Sequence, residues 1–123
     1  MYKQYVIWGR QFDIEVVYDL FPDEALTETM KSAEKLFDEK CEDLLADSTP
    51  VVEYCLNDKP ESFDGSMDNI FKYVIPEQLY IANSDGERIM ALLCAYRFDE
   101  EHGIAIVFKN EELSEIGSQD IIL

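Results

Sequence analysis

The chain of 123 residues carries 27 acidic side chains against 10 lysines and arginines, which gives a net charge of −17. This length predicts a single domain over residues 1–123. Because 47% of the residues are hydrophobic, the acidity does not indicate disorder. It does argue against direct binding of nucleic acid, which depends on lysine and arginine to neutralise phosphates.

Cysteine spacing and the lack of long apolar segments suggest the compartment. Cys41, Cys55 and Cys94 are widely spaced and have apolar neighbours, which is typical of reduced core thiols. No window has the ~18 consecutive apolar residues of a membrane-spanning helix, and the first residues do not resemble an export signal. We therefore expect a cytoplasmic protein without a membrane partner.

The first 19 residues have the pattern of a β-hairpin. Phe12, Ile14, Val16 and Tyr18 stand at alternate positions, as in a strand with one wet face. Residues 5–8 are the expected partner strand. A tight turn at residues 9–10, with glycine first, would join the two strands.

The apolar period then changes to that of helices. Apolar residues at 26, 30, 33, 37, 41 and 44 predict a helix over residues 24–45, with Pro22 marking its start. Residues 48–50 should end that helix and open a shorter one that continues to residue 56. We expect a loop at residues 57–66 and a further short helix at residues 67–74.

The last third returns to strands, at residues 79–82, 88–96, 104–108 and 113–116. The second of these is almost uniformly apolar, as expected of a central strand covered on both faces. Two strands, then helices, then four strands with short connections predict an α+β fold. Its antiparallel sheet would have about five to six strands in hairpins, with helices packed on one face. The predicted core comprises Ile7, Phe12, Ile14, Val16, Leu26, Met30, Phe37, Leu92, Cys94, Ile104, Ile106 and Phe108.

An acidic loop with the only histidine is the first candidate for chemistry. Asp99, Glu100 and Glu101 precede His102 and Gly103, and such a group suits acid–base catalysis or a weak calcium site. However, there is no second histidine and no EF-hand spacing. A solvated hairpin tip with Gly103 at a positive φ is the simpler interpretation, so we expect no metal site and no cofactor.

Other catalytic motifs are missing from the sequence. No serine lies in a G-x-S-x-G elbow, and the five glycines form no phosphate-binding loop. We therefore expect no enzymatic activity. A small enzyme or a calcium-binding domain that uses the loop at residues 99–102 is the alternative.

Negative charge is concentrated in the middle of the chain. Residues 13–68 contain 17 acids and 4 lysines, a net charge of −13. Seven carboxylates lie off the apolar stripe of the predicted helix: Glu24, Glu28, Glu34, Asp38, Glu39, Glu42 and Asp43. Of these, Glu34, Asp38, Glu39 and Glu42 are the candidate residues of a docking surface for a basic protein. A solvated face that only promotes solubility explains the same charge.

Three stretches of the sequence resemble a family of small uncharacterised bacterial proteins, chiefly of Gram-positive gut organisms. They are residues 96–108 (YRFDEEHGIAIVF), 115–120 (EIGSQD) and 69–76 (NIFKYVIP). The resemblance implies a domain of unknown function over most of residues 5–123, and it brings no catalytic motif. In size and acidity the chain is also similar to immunity proteins of bacterial toxin systems. Acidic type III secretion chaperones are similar in the same way, but they begin with a helix.

These observations predict a non-enzymatic binding module that holds a basic protein, such as a toxin-type nuclease, on its acidic helical face. The prediction is electrostatic: the field repels nucleic acid and anionic membranes and attracts cationic protein surfaces.

Overall fold

A computed structural model describes residues 1–58, 61 and 67–123. Strands β1 (Tyr2–Ile7) and β2 (Arg10–Tyr18) come first, followed by helices α1 (Glu28–Leu44) and α2 (Thr49–Asp58). A 3-10 helix (Met67–Lys72) leads into β3 (Val74–Ile81), β4 (Ile89–Tyr96), β5 (Ile104–Lys109) and β6 (Glu112–Gly117). A last 3-10 turn covers Gln119–Ile121. This order confirms the predicted α+β class.

Within that part of the chain, six strands form one sheet in the order β1-β2-β3-β4-β5-β6. Four of the neighbouring pairs are antiparallel, as predicted. β2 and β3 are parallel, with Glu15 opposite Gln78 and Tyr18 opposite Ile81, so the sheet is mostly antiparallel, with one parallel pair that the sequence did not indicate. The reason is the long helical connection, which returns the chain to the edge of β2 in the same direction.

The turn between β1 and β2 lies one residue earlier than predicted. Trp8 (φ 49°) and Gly9 (φ 85°) are its central residues, so Ile7 faces Arg10. Two consecutive positive φ angles are those of a type I′ turn. A non-glycine residue in this region costs about 1–2 kcal/mol. The backbone N–H of Trp8 donates a 2.8 Å hydrogen bond to the carbonyl of Leu45, which holds the turn against the end of α1.

Helix α1 begins four residues later than predicted, because the cap residue is a threonine. The Thr27 hydroxyl accepts a 3.1 Å hydrogen bond from the N–H of Met30, a favourable N-cap. Before it, the N–H of Glu24 donates to the carbonyl of Phe21 in a local turn, so Pro22 opens that turn and not the helix.

The third expected helix is shorter than predicted, and β3 is longer. The 3-10 helix ends at Lys72, and Val74 already belongs to β3. An irregularity at Pro76 interrupts the β3–β4 register, which is where a strand tolerates proline. Asn57 and Asp58 belong to α2, and most of the predicted loop (residues 59–60 and 62–66) lies outside the described residues.

The main core lies between the helices and one face of the sheet. Ten of the twelve predicted core residues are buried there, and Phe12 and Leu26 are partly buried against them. β4 and β5 are buried on both faces, as predicted for β4. On the face opposite the helices, Ala91, Leu93, Ala105 and Val107 form a smaller cluster that the C-terminal Ile122 packs against.

Candidate functional site

Two of the four predicted docking carboxylates make contacts within the protein. Glu34 and Asp38, one turn apart on α1, both form ion pairs with Lys3 of β1. The Tyr5 hydroxyl donates a 2.6 Å hydrogen bond to Asp38, and the Tyr18 hydroxyl donates one of the same length to Glu34. We call these five residues the β1–α1 polar cluster. It joins the helix to the first two strands, and it leaves Asp38 exposed but Glu34 only partly so.

The cluster changes the acidity of its own members. Burial, together with the hydrogen bonds to Asp38 and Glu34, raises the pKa of Tyr5 and Tyr18. For Lys3, burial acts in the opposite direction, but the bonds to the two carboxylates prevail and raise its pKa. Both phenols therefore stay protonated and the ammonium stays charged at neutral pH.

The surroundings of Glu34 and Asp38 are not uniformly negative. The shallow depression at this place is lined by Lys3, Lys31 and Lys35 together with the two carboxylates. Only 15% of the Glu34 side chain is exposed. A basic partner would therefore meet three lysines here, which makes this half of α1 a poor docking surface.

The other two predicted residues lie near the C-terminal end of α1, where the charge is exposed. Glu39 and Glu42 are exposed, and so is Asp43. Spacings of three and four residues place the three carboxylates side by side on the helix. The last turn of α1 contains no basic residue. Because the C-terminal end of a helix carries a partial negative charge, the dipole and these side chains add to one negative field. We call this surface the acidic helix end.

An apolar cavity of about 250 Å³ adjoins the acidic helix end. Its walls come from the β1–β2 turn (Trp8), the end of α1 (Leu44), the start of α2 (Val51), β5 (Phe108) and β6 (Leu113). Val51 and Phe108 are buried, whereas Leu113 is 45% exposed. The cavity therefore has fixed inner walls and an apolar mouth that water reaches.

Two carboxylates belong to the lining of this cavity. One is Asp43 of the acidic helix end, and the other is Asp47, between α1 and α2. Oδ1 of Asp47 accepts hydrogen bonds from the N–H (2.9 Å) and the hydroxyl (2.6 Å) of Thr49. These bonds lower the pKa of Asp47 and fix its orientation at the start of α2. It is ionised at neutral pH.

The acidic loop at residues 99–103 folds back on itself. Nδ1 of His102 lies 3.0 Å from Asp99 Oδ1, and its Nε2 lies 3.8 Å from Asp120. The bond to Asp99 is the main cause of a raised His102 pKa. Gly103 has φ +61°, as its sequence position suggested. The loop therefore offers one half-exposed carboxylate–imidazole pair, Asp99 and His102.

The described part of the chain brings no group of three metal-binding side chains together, whether from Asp99, Glu100 and Glu101 or elsewhere. Cys55 and Cys94 are buried free thiols, as predicted, and Cys41 is half-buried. Among the described helices, none is long and apolar enough to cross a membrane.

Sequence reasoning missed the cavity and its residues. The sequence patterns predict one strand that contains Trp8 and another that contains Leu113, and they do not distinguish Asp47. The only signal for Asp47 is its position two residues before Thr49 at a helix start. For Trp8 and Leu113 there is no local signal, because they come together from opposite edges of the sheet.

The chain belongs to a family defined by a domain of unknown function, DUF6985, whose model matches residues 2–123. No curated protein and no solved structure matches it.

Proposed function

We propose that this protein is a non-enzymatic cytoplasmic binding module, and that the acidic helix end holds a basic protein partner. The observation that supports it is the exposed row of Glu39, Glu42 and Asp43 at the negative end of α1. Carboxylates in this position are repelled by the partial negative charge of the helix C-terminus and by each other, which lowers the stability of the fold. A cationic partner would offset that cost on binding.

The charge balance of the whole chain also supports a basic protein partner. The ten basic side chains cannot neutralise 27 acids, and Lys3, Lys31, Arg88 and Lys109 are already paired within the protein. An excess of one sign speeds association with an oppositely charged protein and orients the encounter. Glu34 and Asp38 are not part of the proposed docking surface; their role is structural, since they attach α1 to the sheet.

The narrower form of the proposal is an immunity-type protein of a bacterial toxin system, with a basic toxin as its partner. Its support is the small size and the acidity of the chain. A gene for a basic toxin beside the gene for this chain would favour it. Cytoplasmic location is supported by the three free thiols.

The test is capture of proteins at low salt from a lysate of the organism that encodes the chain. The binding variant is Glu39→Gln/Glu42→Gln/Asp43→Asn. A matched control neutralises three exposed acids elsewhere, Asp13→Asn/Glu77→Gln/Asp85→Asn, so that both variants have the same net charge. We expect the first variant to lose a basic protein that the wild type and the control retain.

Salt provides the second arm of this test. Binding through exposed charges weakens as ionic strength rises, because the Debye length falls from ~10 Å at 0.1 M to ~3 Å at 1 M salt. If both triple variants capture the same proteins as the wild type, or if capture ignores salt, the acidic helix end is only a solvated surface and the proposal is wrong.

A further inference from the structure

We infer that the apolar cavity beside the acidic helix end receives one large apolar side chain of the basic partner, flanked by lysine or arginine residues that contact Asp43 and Asp47. This inference rests on the proposed function and names the anchoring contact within the same site.

The size of the cavity favours a side chain over a free ligand. Pockets for drug-sized molecules measure about 300–1,000 Å³, whereas an apolar cavity of about 150 Å³ already holds benzene. A volume of about 250 Å³ therefore suits one Phe- or Leu-sized group. Interfaces commonly concentrate their binding energy in such an anchor, surrounded by contacts that exclude water.

The walls of the cavity are suited to hold that anchor. Val51 and Phe108 are 2% and 3% exposed, so the floor is part of the protein core. Trp8 is held in place through its backbone bond to Leu45. Leu113, at the mouth on edge strand β6, leaves apolar surface in water that an anchor would cover.

The charges at the rim determine what must flank the anchor. A neutral apolar occupant would displace water from Asp43 and Asp47 without forming new hydrogen bonds to them, which carries a desolvation cost. Cationic neighbours replace that hydration with charge-assisted hydrogen bonds. The Thr49 bonds engage Oδ1 of Asp47 and keep this carboxylate in place for such a contact.

Three capped pentapeptides separate the anchor from the charge. Lys-Lys-Phe-Lys-Lys has both features, Lys-Lys-Ala-Lys-Lys has the charge alone, and Ser-Ser-Phe-Ser-Ser has the anchor alone. Trp8 is the single tryptophan of the chain and lines the cavity, so its fluorescence reports occupancy. We expect the Lys-Phe peptide to bind about tenfold or more tightly than the Lys-Ala peptide, from the burial of one phenyl group.

A pair of matched variants locates the anchor. Leu113→Glu places a carboxylate in the cavity mouth, and Leu56→Glu makes the same change on α2 at a residue of similar exposure outside the lining. The ratio of Lys-Ala to Lys-Phe dissociation constants should fall close to one in Leu113→Glu and stay at the wild-type value in Leu56→Glu. Asp43→Asn/Asp47→Asn, which keeps the acceptor for Thr49, should remove the preference for Lys-Phe over Ser-Phe.

The outcomes distinguish this inference from the proposed function. If the two lysine peptides bind equally and Glu39→Gln/Glu42→Gln/Asp43→Asn weakens both, charge docking stands and the anchor is wrong. A preference for Phe that survives in Leu113→Glu also overturns the anchor. If the Ser-Phe peptide binds as well as the Lys-Phe peptide, the cavity takes an apolar group without cationic flanks, which overturns the inference and the cationic partner alike. If no lysine peptide binds at low salt, both are wrong as well.

Discussion

The hydroxyl of Tyr5 in β1 donates a 2.6 Å hydrogen bond to Asp38 in α1, a carboxylate on the acidic side of the helix. Tyr18 of β2 makes the equivalent bond to Glu34. Since Lys3 pairs with both carboxylates, the middle of α1 is attached to the sheet by charge as well as by its apolar stripe. The carboxylates of this helix therefore fall into two groups. One group attaches the helix to the sheet, and the other, at the acidic helix end, is exposed to a partner.

Removing the Tyr5 hydroxyl should destabilise the fold. In Tyr5→Phe the ring still packs against Phe37, but Asp38 loses a buried donor, so we expect the free energy of unfolding to fall by about 1–3 kcal/mol. Urea denaturation measures this loss. The matched control is Tyr2→Phe, at a residue 67% exposed, which should leave stability unchanged. Equal stability of the two variants would contradict a stabilising role for the bond.

Stability should decrease at alkaline pH through the same cluster. Burial and the carboxylate bonds raise the folded-state pKa of Tyr5 and Tyr18 above the value of about 10 that an unfolded chain has. The folded state therefore keeps protons that the unfolded state releases. Their contribution is complete below about pH 10 and is lost as the pH rises toward the folded-state pKa. The urea midpoint should therefore fall further between pH 8 and about pH 11 in the wild type than in Tyr5→Phe/Tyr18→Phe.

His102 should titrate above its ordinary pKa. The chain has one histidine, so a single imidazole resonance reports it by NMR. Asp99→Asn should lower this pKa the most and Asp120→Asn less, because Asp99 lies at 3.0 Å and Asp120 at 3.8 Å. With a raised folded-state pKa, the stabilisation is complete below about pH 6.5 and is lost as the pH rises through the folded value. His102→Gln should remove that pH dependence, and an unchanged profile would contradict the pairing.

Gly103 should tolerate no side chain. Its φ is +61°, and a Cβ would lie 2.6 Å from the Cys94 carbonyl oxygen and 2.5 Å from the Gln119 side chain. Gly86 has a similar φ of +80° with open space around it. Gly86→Ala should therefore cost only the backbone strain of about 1–2 kcal/mol, and Gly103→Ala should cost clearly more. Thermal melts of both variants separate the steric contact from the backbone strain. Equal losses of melting temperature would contradict the predicted contact at Gly103.

The three thiols should differ in reactivity. Burial raises the pKa of Cys55 to about 11 and also raises that of fully enclosed Cys94, so both lack access and thiolate character. Half-buried Cys41 should react first with a disulfide reagent in the native protein, although burial and its acidic neighbours raise its pKa as well. Cys41→Ser should abolish the native-state reaction while two thiols still react in denaturant. Rapid native labelling of that variant would contradict the burial of Cys55 and Cys94.

The periodic segments were predictable from the sequence by itself. Alternation in β2, the three-and-four spacing from Met30 to Leu44 and the apolar run of β4 each depend on the residues within one element. Burial follows from those periods, which is why ten of the twelve predicted core residues are buried. The net charge is also determined by composition, and with it the preference for a cationic partner in the proposal.

Only the tertiary structure decided which acids are exposed and where a cavity forms. Glu34 and Glu39 look alike in sequence, but the sheet brings Lys3 and Tyr18 to the first and nothing comparable in the described contacts to the second. The parallel pairing of β2 with β3 and the position of Trp8 against the end of α1 likewise depend on residues distant in sequence. Local patterns encode which face of an element is apolar. They do not encode which elements become neighbours, and contacts between neighbours determine both the polar cluster and the cavity.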